Sequence, residues 1–173
     1  MNLEALYSIG YGVYVVGSVK DGKYNAQTAN TVFQITSEPP TVAVSINKNN
    51  LTHEYIEASG VFSATSLCEE TPLSFIGGFG FKSGRDVDKL EGVEYRIGTT
   101  GAPIITENGV AYFEAKVIKT VDVGTHTLFI GEVVDADVLS HKVCMTYAHY
   151  HEVKRGTTPK TAPTYIAPEG GKK

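Results

Sequence analysis

The chain has 173 residues, 42% of them hydrophobic, which is enough for one domain with a packed core and short for two. Its net charge of −4 and pI near 5.7 argue against the clustered-cation surface that nucleic acid or an anionic membrane requires, so neither is an expected partner. No apolar run reaches the roughly 20 residues of a membrane span, and the N-terminus lacks a basic region followed by an apolar one, so a cytoplasmic protein is expected.

Frequent Gly, absent Trp and plentiful Val, Ile, Thr and Tyr favour strands and turns over helices. Asn2 to Tyr7 reads as about one helical turn. Gly12 to Lys20 reads as a strand turned at Asp21-Gly22, a two-residue hairpin signal. The run Asn25-Ala26-Gln27-Thr28-Ala29-Asn30-Thr31 follows, unusually polar for strand territory, and leads into Val32 to Ile35. Pro39-Pro40 ends that segment and a strand from Thr41 to Ile46 begins. Leu51 to Ser59 has near-helical apolar spacing with Gly60 placed to stop it. Val61 to Leu67 returns to strand, and Thr71-Pro72 reads as an N-cap with proline in the first helical position, opening a brief helix through Ile76. Gly77 to Arg85 reads as a glycine-rich loop. Two long strands follow, Val110 to Val121 and Thr125 to Val138. From Arg155 onward the composition is that of an extended arm or disordered tail. The expected organisation is one domain over residues 1–154 and an arm over 155–173. The expected class is mainly β: an antiparallel Greek-key barrel of about six strands with a few short helices.

Four stretches carry chemistry. Asn25 to Thr31 is either a solvated edge strand or an edge that meets a flat, polar-rimmed ligand. Ser45-Ile46-Asn47-Lys48-Asn49-Asn50-Leu51-Thr52 joins a strand end to a helix start; it is either a capped turn or a phosphate site made of free N–H groups, hydroxyls and a lysine. Lys82-Ser83-Gly84-Arg85 is either a solvated loop or a second cationic contact. His126 at a strand start beside Thr125 and Thr127 is either a turn histidine or a functional one. Against these, the chain has no G-x-G-x-x-G, no G-x-x-x-x-G-K-[ST] and no G-x-S-x-G, and the acidic neighbours of Cys68 oppose the thiolate that covalent catalysis needs. Cys68 and Cys144 form no C-x-x-C pair and the five histidines no H-x-x-x-H set, so no metal site is expected. Nothing in the spacing supports a disulfide between the two cysteines.

The order of Tyr11-Gly12-Val13-Tyr14-Val15-Val16, Asn30 to Pro40, Ser45 to Lys48, Leu51 to Glu54, Phe79 to Asp86, Gly124 to Gly131 and Ala162 to Tyr165 resembles the flavin reductase-like family of FMN-binding split barrels. It is most similar to the branch of flavoredoxins and the flavin domain of high-molecular-weight rubredoxins. The resemblance implies a homodimer with one non-covalent FMN per subunit. It implies that Asn25, Gln27, Thr28, Asn30 and Thr31 hold the flavin ring edge. Ser45, Asn47, Lys48, Asn50 and Thr52 would hold ribityl and phosphate, with Lys82, Ser83 and Arg85 near the phosphate or the incoming nucleotide. His126 would stand where nicotinamide docks. The family's Gly-Asp-His is Gly-Thr-His here, which leaves open the choice between NADH and NADPH. The implied activity is oxidation of NAD(P)H at flavin N5 with electrons passed to a separate acceptor, such as rubredoxin, free flavin, oxygen or a metal centre. The alternative is a flavoredoxin-like carrier reduced by a protein partner.

Overall fold

The computed structural model describes residues 1–166. A 3₁₀ turn, Leu3–Ser8, opens with the Asn2 carboxamide oxygen accepting the Glu4 N–H at 2.9 Å. Strands β1 (Tyr14–Lys20) and β2 (Lys23–Ala29) form the expected hairpin. Asp21 and Gly22 both take positive φ, 50° and 73°, the backbone that makes a two-residue turn follow the twist of its strands. Strands β3 (Val32–Ser37) and β4 (Pro40–Asn47) follow, with Pro40 at a strand start, where its missing N–H breaks no ladder. Helix α1 (Leu51–Ser59) ends at Gly60, whose φ of 68° is cheap only for glycine and whose N–H donates to Ile56 O at 2.8 Å. Then come β5 (Val61–Leu67), α2 (Leu73–Gly80), the short pair β6 (Tyr95–Ile97) and β7 (Pro103–Ile105), the long β8 (Gly109–Asp122) and β9 (His126–Val138), and α3 (Tyr147–Glu152).

Two local expectations are corrected. Thr71 is not the cap of α2: its hydroxyl turns back to donate to Cys68 O at 2.7 Å, Pro72 occupies the cap position and the helix starts at Leu73. The glycine-rich segment is also helical as far as Gly80. Burial of Ile76 and Phe79 supplies the packing that three helical glycines, Gly77, Gly78 and Gly80, cannot supply through propensity.

Seven strands form one antiparallel sheet in the order β2-β1-β5-β8-β9-β4-β3, and β6 and β7 pair separately, so the strand count exceeds the six expected. The two edge strands, β2 and β3, are consecutive in the chain and joined only by Asn30 and Thr31. Three peptide steps span at most about 11 Å, so the sheet must curl until its edges nearly meet, which is the split barrel. Register shifts in β8 at Glu114/Ala115 and Val117/Lys119 add to that coiling. Because neighbouring strand residues face opposite ways, adjacent valines enter different cores. Val16 joins Phe62, Ile46 and Phe129, while Val15 joins Leu67, Ile76, Phe79, Met145 and Tyr150.

Glu114 is fully buried on β8. Its carboxylate accepts the backbone N–H groups of Thr99 (2.8 Å) and Thr100 (3.0 Å) and both threonine hydroxyls, fixing the β6–β7 loop. Any side chain at Gly98 would collide with that carboxylate.

The expected arm is part of the packed structure as far as it is described. Tyr150 Oη donates to Thr157 O at 2.9 Å, and Asn30 Nδ2 donates to the Thr164 hydroxyl at 2.8 Å. Residues 167–173 of the expected arm lie outside the described residues.

Candidate functional site

A cavity of about 330 Å³ opens where four elements converge: β2, the β4–α1 junction, the end of α2 with the loop after it, and the arm beyond α3. That volume is within the usual range for small-molecule sites. Three lysines, Lys82, Lys89 and Lys160, and no carboxylate wall it among the described residues. In a chain of net charge −4 this is a local concentration of positive charge, suited to an anionic ligand.

The polar run lies along one wall. Asn25, 4% exposed, donates from Nδ2 to the Thr52 hydroxyl at 2.7 Å, tying β2 to the first turn of α1. Gly84 lies against the other atom of the Asn25 carboxamide, so closely that even a methyl group there would overlap it. Thr28 donates to Ile76 O at 2.9 Å, and Asn30 holds the arm through Thr164. Gln27 differs from these. Its Oε1 is buried in the cavity wall without a partner, and such an acceptor is costly unless something donates to it.

At the β4–α1 junction, Asn47 Oδ1 accepts the Asn49 N–H at 3.0 Å, and Asn50 occupies the N-cap position without a side-chain bond. With Ser45 and Thr52 they present carboxamides and hydroxyls to the cavity. Lys82 and Ser83 line it from the loop after α2.

Four expected site residues lie outside this wall. Thr31 donates its hydroxyl to Asn30 Oδ1 at 3.1 Å. The Lys48 amine pairs with Asp122 at 2.7 Å, and this contact and the Gly124 N–H hold the Asp122 carboxyl below the usual carboxylate range. Arg85 forms a two-pronged ion pair with Glu54, which lowers the Glu54 pKa; both partners are exposed, so the pair adds little stability. His126, 9% exposed, donates from Nε2 to Thr161 O at 3.1 Å and accepts the Thr125 hydroxyl at Nδ1 (2.8 Å). Thr161 itself lines the cavity, so His126 acts on the wall through the arm.

The structure adds residues that local sequence reading passes over. Tyr147 and Tyr150 of α3 stack at 5.9 Å and line the cavity with Thr161. Lys89 donates to Phe79 O at 3.0 Å, and burial pushes its amine down from 10.5 to about 8. Between those values the folded chain holds fewer protons than the unfolded chain, so stability should rise with pH across that window. Thermal unfolding measured below and above the window should show this rise in the parent and lose it in Lys89→Met.

Residues 6–157 match the family model described as the flavin reductase like domain. The chain belongs to this family. Among its relatives, the high molecular weight rubredoxin of Moorella thermoacetica is 55% identical, over 95% of this chain and 72% of that protein. The ferric-chelate reductase (NAD(P)H) of Archaeoglobus fulgidus is 52% identical, over 96% of this chain and 98% of that protein. The FMN-binding protein of Thermus thermophilus, solved with bound 1-cyclohex-2-enone, superposes with a TM-score of 0.71 at 28% identity, covering 77% of this chain and 73% of that one. The mainly β split barrel expected from sequence is therefore the fold of this flavin reductase-like chain, and its cavity lies beside the edge strand β2.

Proposed function

We propose that the chain is an FMN-dependent oxidoreductase that takes reducing equivalents from NAD(P)H and passes them to a separate acceptor. The observation that carries this reading is the cavity's composition among the described residues: three lysines without a carboxylate, beside an unpartnered buried acceptor on Gln27. These residues fit a ligand with an anionic end and a ring that offers an N–H donor. Lys82, Ser83 and the Asn47–Thr52 junction would hold a phosphate and polyol; Asn25, Gln27, Thr28 and Asn30 would hold a ring edge. FMN, when bound, supplies a ring that accepts two electrons as a hydride and gives them up again. The protein's own tasks are to orient the two reactants and to exclude water, which the arm does by closing one side of the cavity. His126 is a positioning residue in this scheme, because it holds the Thr161 carbonyl of that arm.

Two relatives named for NAD(P)H-dependent ferric-chelate reduction and for FMN binding support the reading. The likeness to a high molecular weight rubredoxin favours a second one, an electron carrier reduced by a protein partner. Anaerobic stopped-flow mixing of the FMN-loaded protein with NADH or NADPH separates them. A reductase bleaches the flavin at about 1–1,000 per second, whereas a carrier stays yellow on that timescale. In the same experiment His126→Ala should slow bleaching more than it weakens FMN binding, and unchanged rates would remove its role.

The reading includes a homodimer. The N-terminal turn exposes Leu3, Leu6 and Tyr7, and β3 exposes Phe33 and Ile35, apolar area that a second copy would bury. Light scattering should return twice the chain mass; a monomer at micromolar concentration would contradict this.

A further inference from the structure

Cys68 and Cys144 are 76 residues apart in sequence, yet they are paired across an isolated antiparallel bridge. Its flanking bonds run from Met145 N–H to Leu67 O (2.8 Å) and from Glu69 N–H to Val143 O (2.9 Å). Bonds made by the neighbours on both sides, rather than by the paired residues, define the narrow kind of antiparallel pair. There the two Cα atoms lie about 4.5 Å apart and the side chains share one face. That separation lies inside the roughly 4.4–6.8 Å window of disulfides.

Both thiols are free, and they are unequal: Cys144 is exposed and Cys68 is fully buried, with the Thr71 hydroxyl at 3.5 Å. The Cys144 thiol lies near enough to the Tyr14 phenol to add to the burial that already raises that group's pKa. The acids beside Cys68 are engaged elsewhere. Glu70 pairs with Lys142 at 2.6 Å and Glu69 with His149 at 3.3 Å, while Lys154 donates to Glu69 O. An accessible thiol backed by a shielded one is the arrangement of an attacking and a resolving cysteine.

We infer that Cys68 and Cys144 form a reversible dithiol–disulfide pair whose substrate is a low-molecular-weight disulfide. The Cys144 thiolate attacks one sulfur of R–S–S–R; a Cys144–S–S–R bond forms, and R–S⁻ leaves and takes up the proton that Cys144 released. The Cys68 thiolate then attacks Cys144 Sγ, the bond to R breaks, and the second R–S⁻ leaves with the Cys68 proton. Two protein thiols are oxidised to one disulfide, and one small disulfide is reduced to two thiols. The bond pins the segment that leads, three residues later, into Tyr147 and the cavity-lining arm. The redox state of the surrounding thiol pool thereby acts on a wall of the site.

The test uses the full chain, reduced and then incubated with glutathione disulfide, acid-quenched, unfolded and alkylated. The intact mass should fall by two hydrogens with no glutathione retained and no alkylation. Peptide mapping should join the two cysteine segments within one chain, and dithiothreitol should restore both thiols. Cys68→Ser should trap glutathione on Cys144, and Cys144→Ser should leave Cys68 unreacted before unfolding. A stable adduct on Cys144 with Cys68 still alkylatable, a disulfide between two chains, or two unreactive thiols would each overturn the inference. The measurement on the unsubstituted protein decides even if a variant fails to fold, and it does not depend on flavin.

Discussion

Gly84→Ala is expected to lower FMN affinity by at least about tenfold, or 1.4 kcal/mol, although it adds a single methyl group. The new carbon would overlap the Asn25 carboxamide and sit 3.1 Å from Leu51 Cδ2. Either Asn25 rotates, breaking its 2.7 Å bond to Thr52, or the loop carrying Lys82 and Ser83 moves outward. Both alternatives deform a cavity wall. Breaking the buried amide bond adds about 1–3 kcal/mol of lost stability. Fluorescence titration of FMN into parent and variant checks the first effect, and equal affinities would show that these walls do not hold the ligand.

Glu114→Gln carries the second large effect and acts on stability rather than on the site. The carboxylate accepts four donors from Thr99 and Thr100, and an amide would turn one of its acceptor atoms into a donor facing those N–H groups. A loss of about 3 kcal/mol is expected, roughly 6–12 °C in Tm for a chain of this size. Urea unfolding should show a lower midpoint with an unchanged slope, and a loss under about 0.5 kcal/mol would mean that the loop finds other partners. FMN affinity should be unaffected at temperatures where the variant is folded, because Glu114 lies outside the cavity wall.

What was legible in the sequence was what local chemistry decides. Asp21-Gly22 announces the β1–β2 turn because few other pairs accept two positive φ angles, and Gly60 announces the end of α1 for the same reason. The alternation in β8 and β9 follows from one face being buried. The polar run at Asn25 signals a site because amide and hydroxyl side chains in and beside a strand need partners: the fold provides them for Asn25, Thr28 and Asn30 from α1, α2 and the arm, and leaves Gln27 Oε1 for a ligand. Long-range pairing was not legible. Lys48 and Arg85 read as free cations, but the fold brings Asp122 and Glu54 to them. Propensity alone would not extend α2 through three glycines, since the burial of Phe79 that sustains it depends on residues distant in sequence. Lys89, with no motif around it, becomes notable only once burial has shifted its amine. The cysteine pair is hidden for the same reason, because its register exists only after the segment between β9 and α3 has docked at the end of β5.

The decisive measurement for the flavin site is a crystal structure of the protein grown with FMN. Density for the flavin ring is expected beside Gln27 and Thr28, with Gln27 Oε1 accepting a hydrogen bond from it and the phosphate among Lys82, Ser83 and the start of α1. An empty cavity at saturating FMN, or flavin bound elsewhere on the barrel, would contradict it.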